Sequence, residues 1–168
     1  MNRWVHPALC WIAFFTTIFF VAGCANLPRP TDEFGKKIDF WQGRLVVRVD
    51  GSPNQNVSAG FELAGNAQQG QLLLFSPLGT TLAALQWRPG AATLHASGQE
   101  QQFGSLQELA LRATGTAFPM EYLFAWLKGQ EPTQNEWQVD LSQFSQGRVS
   151  ARRVNAMPGT DIRILLEP

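Results

Sequence analysis

Residues 71–87, QLLLFSPLGTTLAALQW, set two apolar runs on either side of a Pro-Leu-Gly turn. Pro77 presets its own backbone angle and Gly79 tolerates positive φ, so the turn is stiff and the runs read as paired strands. Leu78 stands between them, an apolar side chain at the place most open to water. Folding gains little from a leucine left in solvent. Its burial is therefore expected in something other than this chain.

The same period of two continues on both sides of that hairpin. RLVVRVD (44–50) puts Leu45, Val47 and Val49 on one face and Arg44, Arg48 and Asp50 on the other. VSAGFEL (57–63) repeats it with Val57, Ala59, Phe61 and Leu63. This alternation belongs to an antiparallel sheet with one face buried. ATLHAS follows the Pro89-Gly90 turn and EQQF reads as a further edge. WQVDL, GRVSARRV and DIRILLE alternate again near the carboxyl end, with Ile162, Ile164 and Leu166 on one face.

Between these two groups the period becomes helical. SLQELALRATG opens with Ser105 and Glu108 at capping-box spacing and carries Leu106, Leu109, Ala110 and Ala113 on one side. PMEYLFAWLKG starts at Pro119 and stops at Gly129, with a stripe of Met120, Leu123, Phe124 and Leu127 widened by Tyr122 and Trp126. A helix so apolar should plug a concavity. The expectation is an α+β fold, mainly β: a strongly curved antiparallel sheet with helices on its concave side, leaving an apolar pocket.

The amino terminus reads as a signal. An Arg near the start precedes an apolar or small run from Ala8 to Gly23, short for a permanent membrane span of roughly 20 residues. Val21-Ala22-Gly23-Cys24 resembles the bacterial lipobox, whose cysteine is lipidated and becomes the first residue. Residues 1–23 are thus expected to leave, 24–40 to form a lipidated tether, and 41–168 to fold. Cys10 and Cys24 are the two cysteines, so the mature domain keeps no free thiol. Each buried methylene adds about 0.8 kcal/mol, enough for three acyl chains to anchor the protein stably. Ala25, in place of aspartate, favours the outer membrane by resemblance to the lipoprotein sorting rule.

The chemistry of an enzyme is missing. Net charge is zero, so no basic field points to nucleic acid. His95 is the single histidine after the signal and reads as a solvent-facing strand residue. No metal-ligand spacing, phosphate loop or nucleophile elbow is present, and no cofactor is expected. Asp140 and Glu167 read as outward strand charges, and Arg148, Arg152 and Arg153 either as a solvated strand face or as a surface for an acidic partner or lipid head groups. This is the pattern of a binding protein.

QLLLFSPLGTTLAALQW resembles the strand-turn-strand of the LolB family of outer-membrane lipoprotein receptors. ATGTAFPMEYLFAWLKGQ is similar to that family's helix pair, EWQVDL and DIRILLE to its late strands, and GRLVVRVDGSPNQNVSAGFEL to its opening hairpin. The resemblance implies an unclosed β-barrel whose helices form a lid over an apolar acyl cavity. It also implies a monomeric receptor, facing the periplasm, that accepts lipoproteins from the carrier LolA and inserts them into the outer membrane. On it, Leu78, held by Pro77 and Gly79, is the exposed membrane-insertion leucine, Cys24 is the lipidated residue, and Trp126 and Trp137 are cavity aromatics. Phe61, Phe124 and Leu127 join them on pattern. The chain departs from the family in lacking a helix before strand one, an added strand between Gly129 and Trp137, and a closing tryptophan. Leu63 stands where a tryptophan is expected. Two other readings compete: an assembly lipoprotein that docks on another envelope protein without a ligand, and a lipid or small-molecule binder unconnected to sorting.

Overall fold

A computed structural model describes residues 38–50, 55–114, 120–132, 136–154 and 159–168. Cys24, most of the tether, Pro119 and Gly115 lie outside the described residues.

Nine strands pair into one antiparallel sheet. β1 (Phe40–Val49), β2 (Gln55–Gly65), β3 (Gly70–Phe75), β4 (Thr81–Arg88), β5 (Ala91–Ala96) and β6 (Gln99–Phe103) form a meander. Then come α1 (Leu106–Thr114) and α2 (Met120–Leu127), followed by β7 (Trp137–Asp140), β8 (Arg148–Arg153) and β9 (Thr160–Leu166). The order is β6-β5-β4-β3-β2-β1-β9-β8-β7, so β9 returns to pair with β1 while β6 and β7 remain edges. The sheet is not closed into a barrel.

Register follows the alternation. Trp41 lies opposite Leu63, Phe61 opposite Leu74, and Trp87 opposite Gly70 and Ala92. On the other flank Val47 lies opposite Ile162, which lies opposite Ala151, itself opposite Val139. Cross-strand partners share a face, so these apolar residues line one inner surface. The helices cover part of it. α1 packs on β5 and β6, burying Leu106, Leu109 and Ala110. α2 packs Phe124, Trp126 and Leu127 into the same cluster as Phe61, Leu63 and Trp137.

The helix ends behave as their sequences specify. The Glu108 N–H donates to the Ser105 hydroxyl at 3.1 Å, and the Glu108 carboxylate accepts from the Gly104 N–H at 2.9 Å. That is the reciprocal box, reaching one residue further back than usual. α2 ends in a Schellman arrangement: Gln130 N–H donates to Ala125 O and Gly129 N–H to Trp126 O, both at 2.9 Å. Gly129 has φ +72°, and a Cβ there would meet the Phe144 ring at 2.8 Å.

Two expectations are corrected. Val57 is 50% exposed although its parity is inward, because it sits on β2 beyond the part of the inner face that the helices cover. Arg153 does not share the solvated face of Arg148 and Arg152. Successive strand residues point to opposite faces, so Arg153 turns inward, opposite Thr160 and Trp137, with a side chain only 15% exposed.

Candidate functional site

The β3–β4 turn holds Leu78 by backbone and side-chain bonds alike. Ser76 N–H donates to Thr80 O at 2.8 Å and Gly79 N–H to Ser76 O at 2.9 Å. The Ser76 hydroxyl accepts from the N–H groups of Leu78 at 3.3 Å and Thr80 at 3.2 Å. Gly79 has φ +81°, with nothing within 4 Å of a Cβ built there. Its backbone angle is thus the reason for glycine, as in three-residue hairpin loops. Leu78 is 94% exposed. Beside it the register shifts, Phe75 pairing with Thr81 and Leu74 with Ala83. Leu82 is the additional residue, and it too is exposed. No charged residue occurs between Glu62 and Arg88, so this hairpin can approach an apolar phase without desolvating an ion.

The five expected cavity residues are brought together. Phe61, Phe124, Trp126, Leu127 and Trp137 are all buried in one cluster. Trp126 and Trp137 have ring centroids 5.7 Å apart; Phe124 meets Trp41 edge-on at 5.6 Å and Trp87 at 6.3 Å. Leu63, which lies opposite Trp41, is also buried. In effect the neighbouring strand supplies the indole that the family pattern places at position 63. Sequence reasoning gave Trp41 and Trp87 no role, although both are now central.

Cover on the inner face is graded. Phe61, Leu63 and Trp87 are buried, whereas Leu72, Leu85 and Leu94 on the row of Leu63, and Leu45, Val47 and Leu74, are half-buried. The Leu78 turn follows β3 at the end of the sheet where β1 finishes and β9 begins, and Val57 lies towards that same end. Leu45, Val47 and Leu74 are thus half-buried inner residues towards the end of the sheet that carries the exposed leucine.

A concavity of about 630 Å³ lies on the outer face instead, over β1, β9, β8 and β7. Arg44, Arg148, Arg152 and Arg163 line it with Asp140 and Asp161, and Arg152 pairs with Asp161 at 3.7 Å. Hydrogen bonds from Ser142 hold the Asp140 carboxyl below the usual carboxylate range. His95 is exposed, 3.5 Å from Glu100. No helix among the described residues is long and apolar enough to cross a membrane.

Comparison with known proteins agrees with this architecture. The family model described as outer membrane lipoprotein LolB matches residues 40–166. The outer-membrane lipoprotein LolB of Shewanella sp. (strain W3-18-1) is 29% identical over 144 residues, covering 80% of this chain and 65% of the relative. That of Bordetella pertussis (strain Tohama I) is 31% identical over 131 residues, covering 76% and 64% respectively. The chain thus spans somewhat under two thirds of the length of these relatives. With the match running from β1 to the last residue of β9, the chain belongs to the LolB family of outer membrane lipoproteins.

Proposed function

We propose that this protein, anchored through a lipidated Cys24 with its domain facing the periplasm, accepts lipoproteins from the carrier LolA. It holds their acyl chains in the apolar concavity and inserts them into the outer membrane. The observation that carries this reading is Leu78, 94% exposed on a turn stiffened by four hydrogen bonds. A leucine entering a bilayer contributes roughly 1.5–3 kcal/mol, too little to anchor a protein but enough to orient the concavity towards the membrane. Acyl chains need only apolar surface, worth about 25 cal/mol for each Å² removed from water. The half-buried inner leucines offer it, Leu45 and Leu74 towards the Leu78 end, and α2 yields to admit the chains.

The test follows labelled lipoprotein from LolA to this protein and on to liposomes. Leu78→Glu should accept cargo as the wild type does and then retain it. Equal delivery by both would reject the role of Leu78; loss of the first handover would mark Leu78 as a partner-docking residue.

One observation favours a second reading, an assembly lipoprotein that docks without a ligand: the 630 Å³ concavity of the outer face is lined by arginines and lies away from the apolar inner face. Titration with an apolar dye separates the two, since saturable one-to-one uptake requires an inner cavity.

A further inference from the structure

Buried hydrogen-bonding groups are nearly always paired, so a core donor without a partner in the chain calls for one from outside it, a ligand or an ordered water. Trp126 is 0% exposed and Thr160 3%, and neither the Trp126 indole N–H nor the Thr160 hydroxyl has a hydrogen-bond partner among the described residues. Thr160 is the buried polar residue of the core. The two belong to one neighbourhood. Thr160 lies opposite Arg153, Arg153 lies opposite Trp137, and the Trp126 ring meets Trp137 at a tilt of 55° with centroids 5.7 Å apart. Thr160 and Trp137 are therefore two strand spacings apart, about 10 Å. This row crosses the inner face where β9 begins, at the same end of the sheet as the Leu78 turn. Between them Arg153 brings a mostly buried cation, paired with Glu136 at 3.3 Å. Among the described residues that are buried in the core Thr160 is the polar one, so this row offers donors (an indole N–H, a hydroxyl and a guanidinium) beside buried apolar surface.

The head of an acylated cysteine has the complementary chemistry. Its two glyceryl esters and its N-acyl amide present carbonyl acceptors within a few bonds of one another. A cavity that took the hydrocarbon alone would bury those carbonyls without partners. We propose that the indole N–H of Trp126 and the hydroxyl of Thr160, flanking the Trp137–Arg153 row, form a carbonyl-binding subsite for the ester and amide groups at the head of an acylated lipid. The chains then run inward, towards Trp41 and Trp87, and the peptide of the cargo leaves at the Leu78 end. This inference rests on the acyl-holding reading above and adds to it a polar recognition element.

Ester and ether lipids distinguish it. The purified full chain, kept in an alkyl glycoside detergent that has no ester or amide, is titrated with a dipalmitoyl-glyceryl-cysteine peptide and with its dialkyl ether counterpart. Displacement of a bound apolar dye is the readout. Wild type should bind the ester form about five- to tenfold more tightly, the worth of one or two net hydrogen bonds. Thr160→Val together with Trp126→Phe should bring the ester-to-ether ratio close to one; the ratio is the readout because any loss of apolar contact with the smaller ring falls on both lipids alike. Replacing Trp126 by benzothienylalanine, which keeps the ring shape and lacks the N–H, should do the same if the phenylalanine variant folds poorly. Equal affinity for both lipids in the wild type, or an ester preference that survives in the variants, overturns the subsite while acyl holding stands. Failure of both lipids to displace the dye overturns acyl holding itself, and the subsite with it.

Discussion

Trp41 and Trp87 pack against α2 and Trp126 lies within it, and the three indole N–H groups fare differently. Trp41 donates its indole N–H to the Leu127 carbonyl at 3.0 Å, and Trp87, which packs on Phe124, donates to the Asn66 carbonyl at 2.9 Å. Trp126, on the helix itself, is more deeply buried than either and donates to nothing described. All three rings contribute apolar contact. The first two also tie distant parts of the chain together, across 86 and 21 residues of sequence. The third carries the cost of a desolvated donor, and stability alone gives no reason to keep it. Trp41 and Trp87 thus tie the body together with their N–H groups, whereas the N–H of Trp126 is the one the proposed subsite would use.

The largest effect expected is at the Phe124 hub. Phe124→Ala removes the ring between Trp41 and Trp87 and should destabilise folding by about 3–5 kcal/mol in urea titrations. A much smaller loss would mean that the hub is itself loosely packed, and the contrast with Trp126 would fall. Next comes the satisfied donor. Trp41→Phe leaves the Leu127 carbonyl without its partner and should cost about 1–3 kcal/mol. Thr160→Val, by contrast, removes an unpaired hydroxyl at nearly constant volume and should leave the urea midpoint unchanged or raise it. A Thr160→Val loss as large as that of Trp41→Phe would erase the distinction between the two neighbourhoods. At the tip, Leu78→Glu should change stability by no more than about 0.5 kcal/mol, because neither residue is buried in the folded chain. Its proposed effect is on delivery.

The smallest effect is a pH dependence on the outer face. Ser142 depresses the folded pKa of Asp140 below its ordinary 3.8. The associated stability is present above 3.8 and is lost as pH falls through the lower folded value. Wild type and Asp140→Asn should therefore differ slightly at neutral pH and converge in acid, as unfolding curves taken at several pH values would show.

The residues themselves determined whatever depends on near neighbours. Alternation of period two set the strands, because side chains point to opposite faces in turn. Proline, leucine and glycine at 77–79 set a stiff turn with its leucine outward; the capping box of Ser105 and Glu108 and the glycine after Leu127 set the helix ends. The family resemblance of the turn and the apolar helix was legible for the same reason, since each lies in one short stretch. Misreadings arose where a local pattern was not carried through or was overridden by cover. Arg152 and Arg153 cannot share a face, and Val57 has inward parity but no element over it. Only the tertiary structure decided which indoles were satisfied. Trp41 and Trp126 look interchangeable as sequence, and their difference lies in whether a carbonyl far along the chain arrives within 3 Å of the N–H. Hydrogen-bond satisfaction in a core is set by the register of nine strands and the seating of α2, which no window of sequence contains.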